Sequence, residues 1–150
     1  MITESFRVKG NLNIKHFDEK QTLKEERDLK NLVVATGKNY IVSRMESNSS
    51  PIMSHMAVGT ANVAASTGQT LLPGETARVA FDSDNIVNNT ITYVSTFGAG
   101  TATGTLAEAG IFNSGNTTAN TGTMLCRVRF NEINKGASDV VVITWNVTVE

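Results

Sequence analysis

Asn88-Asn-Thr-Ile-Thr-Tyr-Val-Ser-Thr-Phe97 decides the fold. Ile91, Tyr93, Ser95 and Phe97 alternate with Thr90, Thr92, Val94 and Thr96, and Gly98-Ala99-Gly100 ends the run. Alternation with a period of two, bounded by Gly and Asn, is the mark of a half-buried antiparallel strand. The pattern recurs to the last residue. Glu108–Asn113 is short and apolar, and the Gly/Asn/Thr loop Ser114–Gly122 follows. Met124–Phe130 sets Met124, Cys126, Val128 and Phe130 against Leu125, Arg127 and Arg129. Asn134-Lys135-Gly136 turns the chain, and Val140–Val149 places Val141, Ile143, Trp145, Val147 and Val149 on one side. The only Trp, one of two Tyr and three of six Phe lie in this region, so the aromatic weight of the core is C-terminal.

Working outward to the N-terminus, Glu4–Lys9 and Leu12–Phe17 alternate on either side of Gly10-Asn11. That dipeptide reads either as a tight turn or as a bulge in one long strand. The long strand is preferred, because Asp18-Glu19-Lys20-Gln21 makes the better hairpin turn. Thr22–Leu29 returns as a highly charged strand, an edge guarded by charge; as a helix it would have few apolar contacts. Residues 1–29 thus read as a charged N-terminal hairpin extending from the body. Leu32-Val33-Val34 is a buried run. Tyr40, Ile41, Arg44 and Met45 then share one face of a short helix near 36–46, with Thr36 as N-cap and with Tyr40, Ile41 and Met45 turned to the core. Met53–Gly59 and Glu75–Asp82 read as strands, Glu46–Pro51 and Thr60–Gly74 as loops, and Asp82–Asn89 as a turn. The sum is a single domain over 1–150. It is all-β, an antiparallel β-sandwich of about eight strands, jelly-roll-like or immunoglobulin-like, with one short helix.

Composition narrows the function. The chain has 150 residues, 13 Lys and Arg, 14 Asp and Glu, and a formal charge of −1. Nothing draws it as a whole to nucleic acid or to an anionic membrane. No apolar run approaches the ~20 residues of a membrane span, and the polar N-terminus is not a secretory signal. One cysteine, Cys126, excludes an intrachain disulfide, and its strand position marks a buried thiol. The Asn-x-Ser/Thr triplets at Asn48, Asn88, Asn116 and Asn146 are expected by chance in so Asn/Thr-rich a chain.

Catalytic chemistry finds little purchase. Zinc requires clustered Cys and His, and there are two His, His16 and His55. A Ser-His-Asp set would have to use one of those, and no Gly-x-Ser-x-Gly elbow accompanies them. Asp82-Ser83-Asp84-Asn85 suggests a calcium loop, but Val87 and Tyr93 stand where an EF-hand needs Gly and Glu. Glu108, set in an apolar strand, calls for a buried partner, with Arg78, Arg127 and Arg129 as candidates. No catalytic, cofactor-binding or metal-binding residue is assigned, and no enzyme activity is expected.

Several segments, in order, carry a resemblance: Asn31-Leu-Val-Val, Gly37-Lys-Asn-Tyr-Ile, Met53-Ser-His-Met-Ala-Val-Gly-Thr, Tyr93-Val-Ser-Thr-Phe-Gly-Ala-Gly, Glu108-Ala-Gly-Ile-Phe-Asn, Thr123-Met-Leu-Cys-Arg, and Asn134-Lys-Gly-Ala-Ser-Asp with Ile143-Thr-Trp. Over some 120 residues this set resembles small structural proteins of tailed bacteriophages. The resemblance implies a virion part made in the bacterial cytoplasm: a head-decoration (cement) protein or a tail, collar or fibre component. It implies the major capsid protein or other virion proteins as partners, and a homo-oligomer, with a trimer favoured. It supplies no catalytic residue.

Overall fold

The computed structural model describes residues 3–47, 49–114 and 116–150. Asn48, in the expected loop Glu46–Pro51, and Gly115, in Ser114–Gly122, lie outside the described residues, as do Met1 and Ile2. In chain order the elements are β1 (Val8–Phe17), β2 (Leu23–Val33), α1 (Ala35–Glu46), β3 (His55–Gly59), β4 (Glu75–Ala80), β5 (Ser83–Val87), β6 (Thr90–Phe97), β7 (Gly104–Phe112), β8 (Met124–Lys135) and β9 (Val140–Val149). The strands form one antiparallel sheet in the order β4-β3-β7-β8-β2-β1-β9-β6-β5.

The outermost strands of that order, β4 and β5, are consecutive in sequence. Three Cα steps from Ala80 to Ser83 reach about 11 Å at most. Eight strand spacings in a flat sheet would separate β4 from β5 by roughly 38 Å. The sheet must therefore curl, and it does so into a half-barrel. At the link, Asp82 N donates to Val94 O at 2.7 Å and Phe81 N to Ser54 O at 3.0 Å. Phe81 stacks on Tyr93, ring centroids 4.4 Å apart.

The concave face holds the main core. Leu12 and Ile14 of β1, Phe97 of β6, Ile111 of β7, Cys126 of β8, and Ile143 and Trp145 of β9 are all at most 1% exposed. The alternation of β6 and β9 is the pattern expected from the sequence. Gly10 lies in a continuous β1, paired with Asn31 on one side and Val147 on the other. It makes neither a turn nor a bulge. A Cβ there would fall 2.0 Å from Asn31 Oδ1, the atom that accepts the Trp145 Nε1 hydrogen bond at 2.9 Å. The glycine clears the path by which Asn31 reaches the tryptophan.

β2 changes neighbours along its length. Residues from Leu23 to Asn31 pair with β1, and only Leu32 and Val33 pair with β8. The charged part of β2 thus carries an open backbone edge, as its charge suggested, although the strand lies mid-sheet. Arg27 reaches across the gap to the carbonyls of Asn131 and Glu132.

Four local expectations are corrected. Asp82–Asn89 holds a strand, β5, paired along its length with β6; its five residues are all exposed, so it has no buried face to betray it. Met124 does not share the face of Cys126: Ile111 pairs Cys126 and Phe112 pairs Met124, so the extra residue Leu125 turns Met124 outward and itself joins the main core. Thr36 is not the N-cap. The helix begins after Val34, Ala35 N donates to Thr67 O, and the Thr36 hydroxyl donates to Met124 O. Met45 is 83% exposed, because by its turn the helix has run past the sheet that Tyr40 and Ile41 cover. At Gly37 a Cβ would fall 2.0 Å from Leu125 O, so the helix lies directly on the backbone of β8.

Candidate functional site

The convex side of β3, β7 and β8 is also buried. Val34, Ala57, Leu72, Phe112 and Met124 form a second apolar cluster there. β7 is therefore buried on both faces from Leu106 to Phe112. Glu108 points into this second layer. Its partner among the three candidate arginines is Arg127, whose Nη2 and Nε donate to Glu108 Oε2 at 2.8 and 3.2 Å. Both side chains are fully buried. Glu108 Oε1 accepts Gly74 N at 2.8 Å and Ala61 N at 3.2 Å, while Arg127 Nη1 donates to Val63 O and Gln69 Oε1. The ion pair thus ties down both ends and the middle of the loop over residues 60–74. A buried carboxylate with its charge and lone pairs so engaged is a structural device.

A second buried pair does the same for the neighbouring loop. Arg78 donates to both oxygens of Glu75 at 2.9 and 3.1 Å, donates to Thr121 O at 2.8 Å, and stacks its guanidinium 4.2 Å from the centre of the Phe112 ring. Glu75 Oε1 also accepts Asn120 N. Glu75 and Arg78 are three residues apart in the sequence, but their contacts with Thr121 and Asn120 were not legible from it, since only the fold brings β4 to the loop after β7. Asn116 spends its side-chain oxygen within the loop, on Thr118 N and the Thr121 hydroxyl.

The two histidines are in unlike settings. His16 Nε2 lies 2.8 Å from Asp139 Oδ2, and its Nδ1 faces Glu25 Oε1 at 3.5 Å. Both ring nitrogens thus face carboxylates, and neither is offered to a nucleophile. Asp139 also accepts Gly136 N and Lys24 Nζ; these donors and His16 outweigh burial and hold its carboxyl well below the usual range. Burial raises Glu25, but its hydrogen bonds and charge contact with Arg27, and then with His16, prevail and lower it. His55 is buried beside Arg78; burial first, and then that positive charge, lower its pKa. A general base must pass through the protonated form, which this setting opposes. Its Nδ1 is 2.8 Å from the Ser54 hydroxyl.

Cys126 is buried in the core, and burial pushes its thiol well up, away from reactivity. Asp82 Oδ2 accepts the Thr96 hydroxyl at 2.7 Å, anchoring the β4–β5 link. Among the described residues, no group of three or more His, Cys, Asp or Glu is placed to hold a metal ion. Lys135, expected in a turn, ends β8 with its ammonium buried and donating to Gly98 O at 2.9 Å; burial lowers its pKa, against the opposing charge of Asp139.

No protein-family model, curated protein or solved structure matches the chain.

A further feature with the geometry of a binding surface is the open end of the half-barrel beside α1. Two adjoining clefts of about 440 and 480 Å³ share Val8 and Ile41. The larger runs between Tyr40, Ile41 and Arg44 of the helix and the sheet residues Ile86, Ile91 and Val147. Phe6 and Val42 of the smaller cleft and Ile86 of the larger are 70, 64 and 69% exposed. The sequence did carry a trace of this surface, because Ile41, Val42 and Met45 give α1 more apolar positions than one buried stripe requires.

Proposed function

We propose that this chain is a structural part of a tailed-bacteriophage virion, and specifically a decoration protein seated on the outer surface of the head. The observation that carries the reading is where the resembling segments meet. Gly37 rests on Leu125, Gly59 lies against Glu108, Glu108 pairs with Arg127, and Asn113 accepts Thr123 N. Segments as far apart as Gly37 and Leu125 thus build one packing unit around a buried ion pair, and we take that unit as the part of the fold to which the resemblance refers.

A decoration protein needs a stiff body that repeats weak contacts around a symmetric shell, where avidity multiplies them. Two loops held by buried Arg–Glu pairs suit that need. We further read the two halves of the curled sheet, β2-β1-β9-β6-β5 and β4-β3-β7-β8, as facing one another in the manner of a jelly-roll-like or immunoglobulin-like sandwich. The major capsid protein is the proposed partner and a trimer the proposed assembly. The open edge of β2 is where strand addition from the shell would occur.

A tail, collar or fibre role is the alternative, with host glycans bound by the loops Thr60–Gly74 and Ser114–Gly122. It is less favoured because these loops carry no aromatic ring and Asn116 is already spent within its loop. Antibody labelling of intact virions, read by electron microscopy, tests the proposal. Gold distributed over the head supports decoration; gold confined to neck or tail replaces it with the alternative; virions without label overturn both.

A further inference from the structure

We propose that the open end of the half-barrel, between α1 and β5, is a docking groove for a segment of another protein that carries large apolar side chains flanked by Asp or Glu. The inference stands on this surface alone, wherever in a virion the chain sits.

Three observations converge. The first is the extent of exposed apolar surface. Val42 and Met45 on α1, Ile86 and Val87 on β5, and Phe6 before β1 are each at least 60% exposed. Phe6, Val42 and Ile86 line clefts whose walls are already apolar, through Ile41, Ile91, Val147 and Val149. Isolated exposed hydrophobes are ordinary, whereas a contiguous set around a concavity marks an interaction site. On the helix, Lys38, Ile41, Val42 and Met45 fall at i, i+3, i+4 and i+7, one continuous stripe.

The second is charge. The chain as a whole is −1. The residues lining the two clefts nevertheless include Arg7, Lys9, Lys38 and Arg44 against a single acid, Glu150. Lys9 and Glu150 pair with each other. Among the described residues no carboxylate pairs with Arg7, Lys38 or Arg44; Arg44 donates to the Ser50 carbonyl. An apolar groove with a cationic rim in a near-neutral chain is complementary to an acidic, apolar partner, and it repels a basic one.

The third is backbone. β5 pairs only with β6, so its other edge offers unpaired amides and carbonyls to an incoming chain beside the groove. That edge, and apolar side chains extending past the clefts, favour a polypeptide over a small apolar ligand. The groove is walled on both sides, by α1 and by β5, which suits a narrow segment better than the flat face of a bilayer.

The test uses the full chain. A random 12-residue peptide library is selected on the immobilised protein, and binders are measured against the wild type, Ile86→Asp and Val42→Asp. Both positions are exposed, and Trp145 emission verifies that each variant is folded. The expected result is binders enriched in Asp or Glu beside Leu, Ile, Phe or Trp. Their affinity should fall about tenfold or more in either variant, the order seen when an interface anchor is lost. Lys38→Glu should weaken the same peptides and make them less sensitive to salt. Selection of no binders, of basic binders, or of binders indifferent to Ile86→Asp and Val42→Asp overturns the proposal. So does co-sedimentation with vesicles of equal phosphatidylglycerol and phosphatidylcholine that Ile86→Asp abolishes, which would make the surface a membrane contact. Sedimentation equilibrium showing wild-type self-association lost in Ile86→Asp would replace the acidic partner with a second copy of this chain.

Discussion

Glu108 and Arg127 illustrate how much of a protein's outer layer can hang on two side chains. Their charges are fully buried, and between them they hold four groups of the loop over residues 60–74. Removing one partner strands the other in a low-dielectric setting, which costs about 3–5 kcal/mol. Glu108→Gln and Arg127→Met are each expected to lower the unfolding free energy by that amount in urea titrations, a large fraction of the ~5–15 kcal/mol typical of a domain. Glu108→Leu combined with Arg127→Met should cost less than the two single losses added together, because no charge is left unpaired. A second residue-scale expectation concerns pH. His55 has a folded pKa below its ordinary value of 6.5, so the unfolded chain binds the proton more readily. Its stabilising contribution is complete above about pH 7 and is lost as pH falls through 6.5 toward the folded value. Glu25 and Asp139 are held low and act only below the ordinary carboxylate range of about 4. Between pH 7 and 5, the melting temperature of the wild type should therefore fall more steeply than that of His55→Gln. Parallel slopes would remove His55 from the account.

At the scale of the element, legibility followed the number of buried faces. β6 and β9 have one core face and alternate cleanly, so Thr90–Phe97 and Val140–Val149 can be read off the chain. β7 is buried on both sides, and its small and apolar residues show no period, so only its second half was recognisable. β5 is exposed on both sides, and Ser83-Asp84-Asn85 imitates a turn. The bulge at Leu125 depends on what β7 does opposite it, and no property of β8 alone discloses it. The partner of Glu108 was legible only as a need: a carboxylate among apolar neighbours requires a cation, but three arginines qualified, and even the register, which sets Arg129 directly opposite Glu108, does not name the diagonal neighbour Arg127 that pairs with it. The groove beside α1 was hidden because the helix was read as a cover, with Met45 turned inward, when part of its apolar face points out. The helix itself makes a sharp prediction. Gly37→Ala drives a methyl into the Leu125 carbonyl and should destabilise by about 1–3 kcal/mol, as overpacking does. Gly68→Ala, where a Cβ meets nothing within 4 Å, should leave thermal stability unchanged or slightly raised.

For the whole molecule, the two-residue link between β4 and β5 is decisive. By holding the two ends of the sheet close without pairing β4 to β5, it turns nine strands into one shared core, to which β1, β6 and β9 contribute from one half and β3, β7 and β8 from the other. The main core belongs to neither half alone; only the small convex cluster around Phe112 and Met124 is confined to one of them. Unfolding followed by Trp145 fluorescence and by far-ultraviolet circular dichroism should therefore give coincident transitions, the signature of a single cooperative unit. A loss of sheet signal that precedes the change at Trp145 would show halves that melt separately.

The position of β9 has a consequence for the life of the chain before it is finished. β9 is the last strand of the domain to be synthesised, yet it lies between β1, the first, and β6. Until it leaves the ribosome, the hairpins β1–β2 and β5–β6 have nothing to join them, and Leu12, Ile14, Tyr93 and Phe97 lack the wall that Ile143 and Trp145 provide. At ordinary translation rates of 5–20 residues per second, β1 waits on the order of ten seconds with an unpaired edge. In a cell translating many copies at once, that interval is when nascent chains would meet one another, and the charges on the β2 edge beside them act as a guard during synthesis as much as in the finished protein.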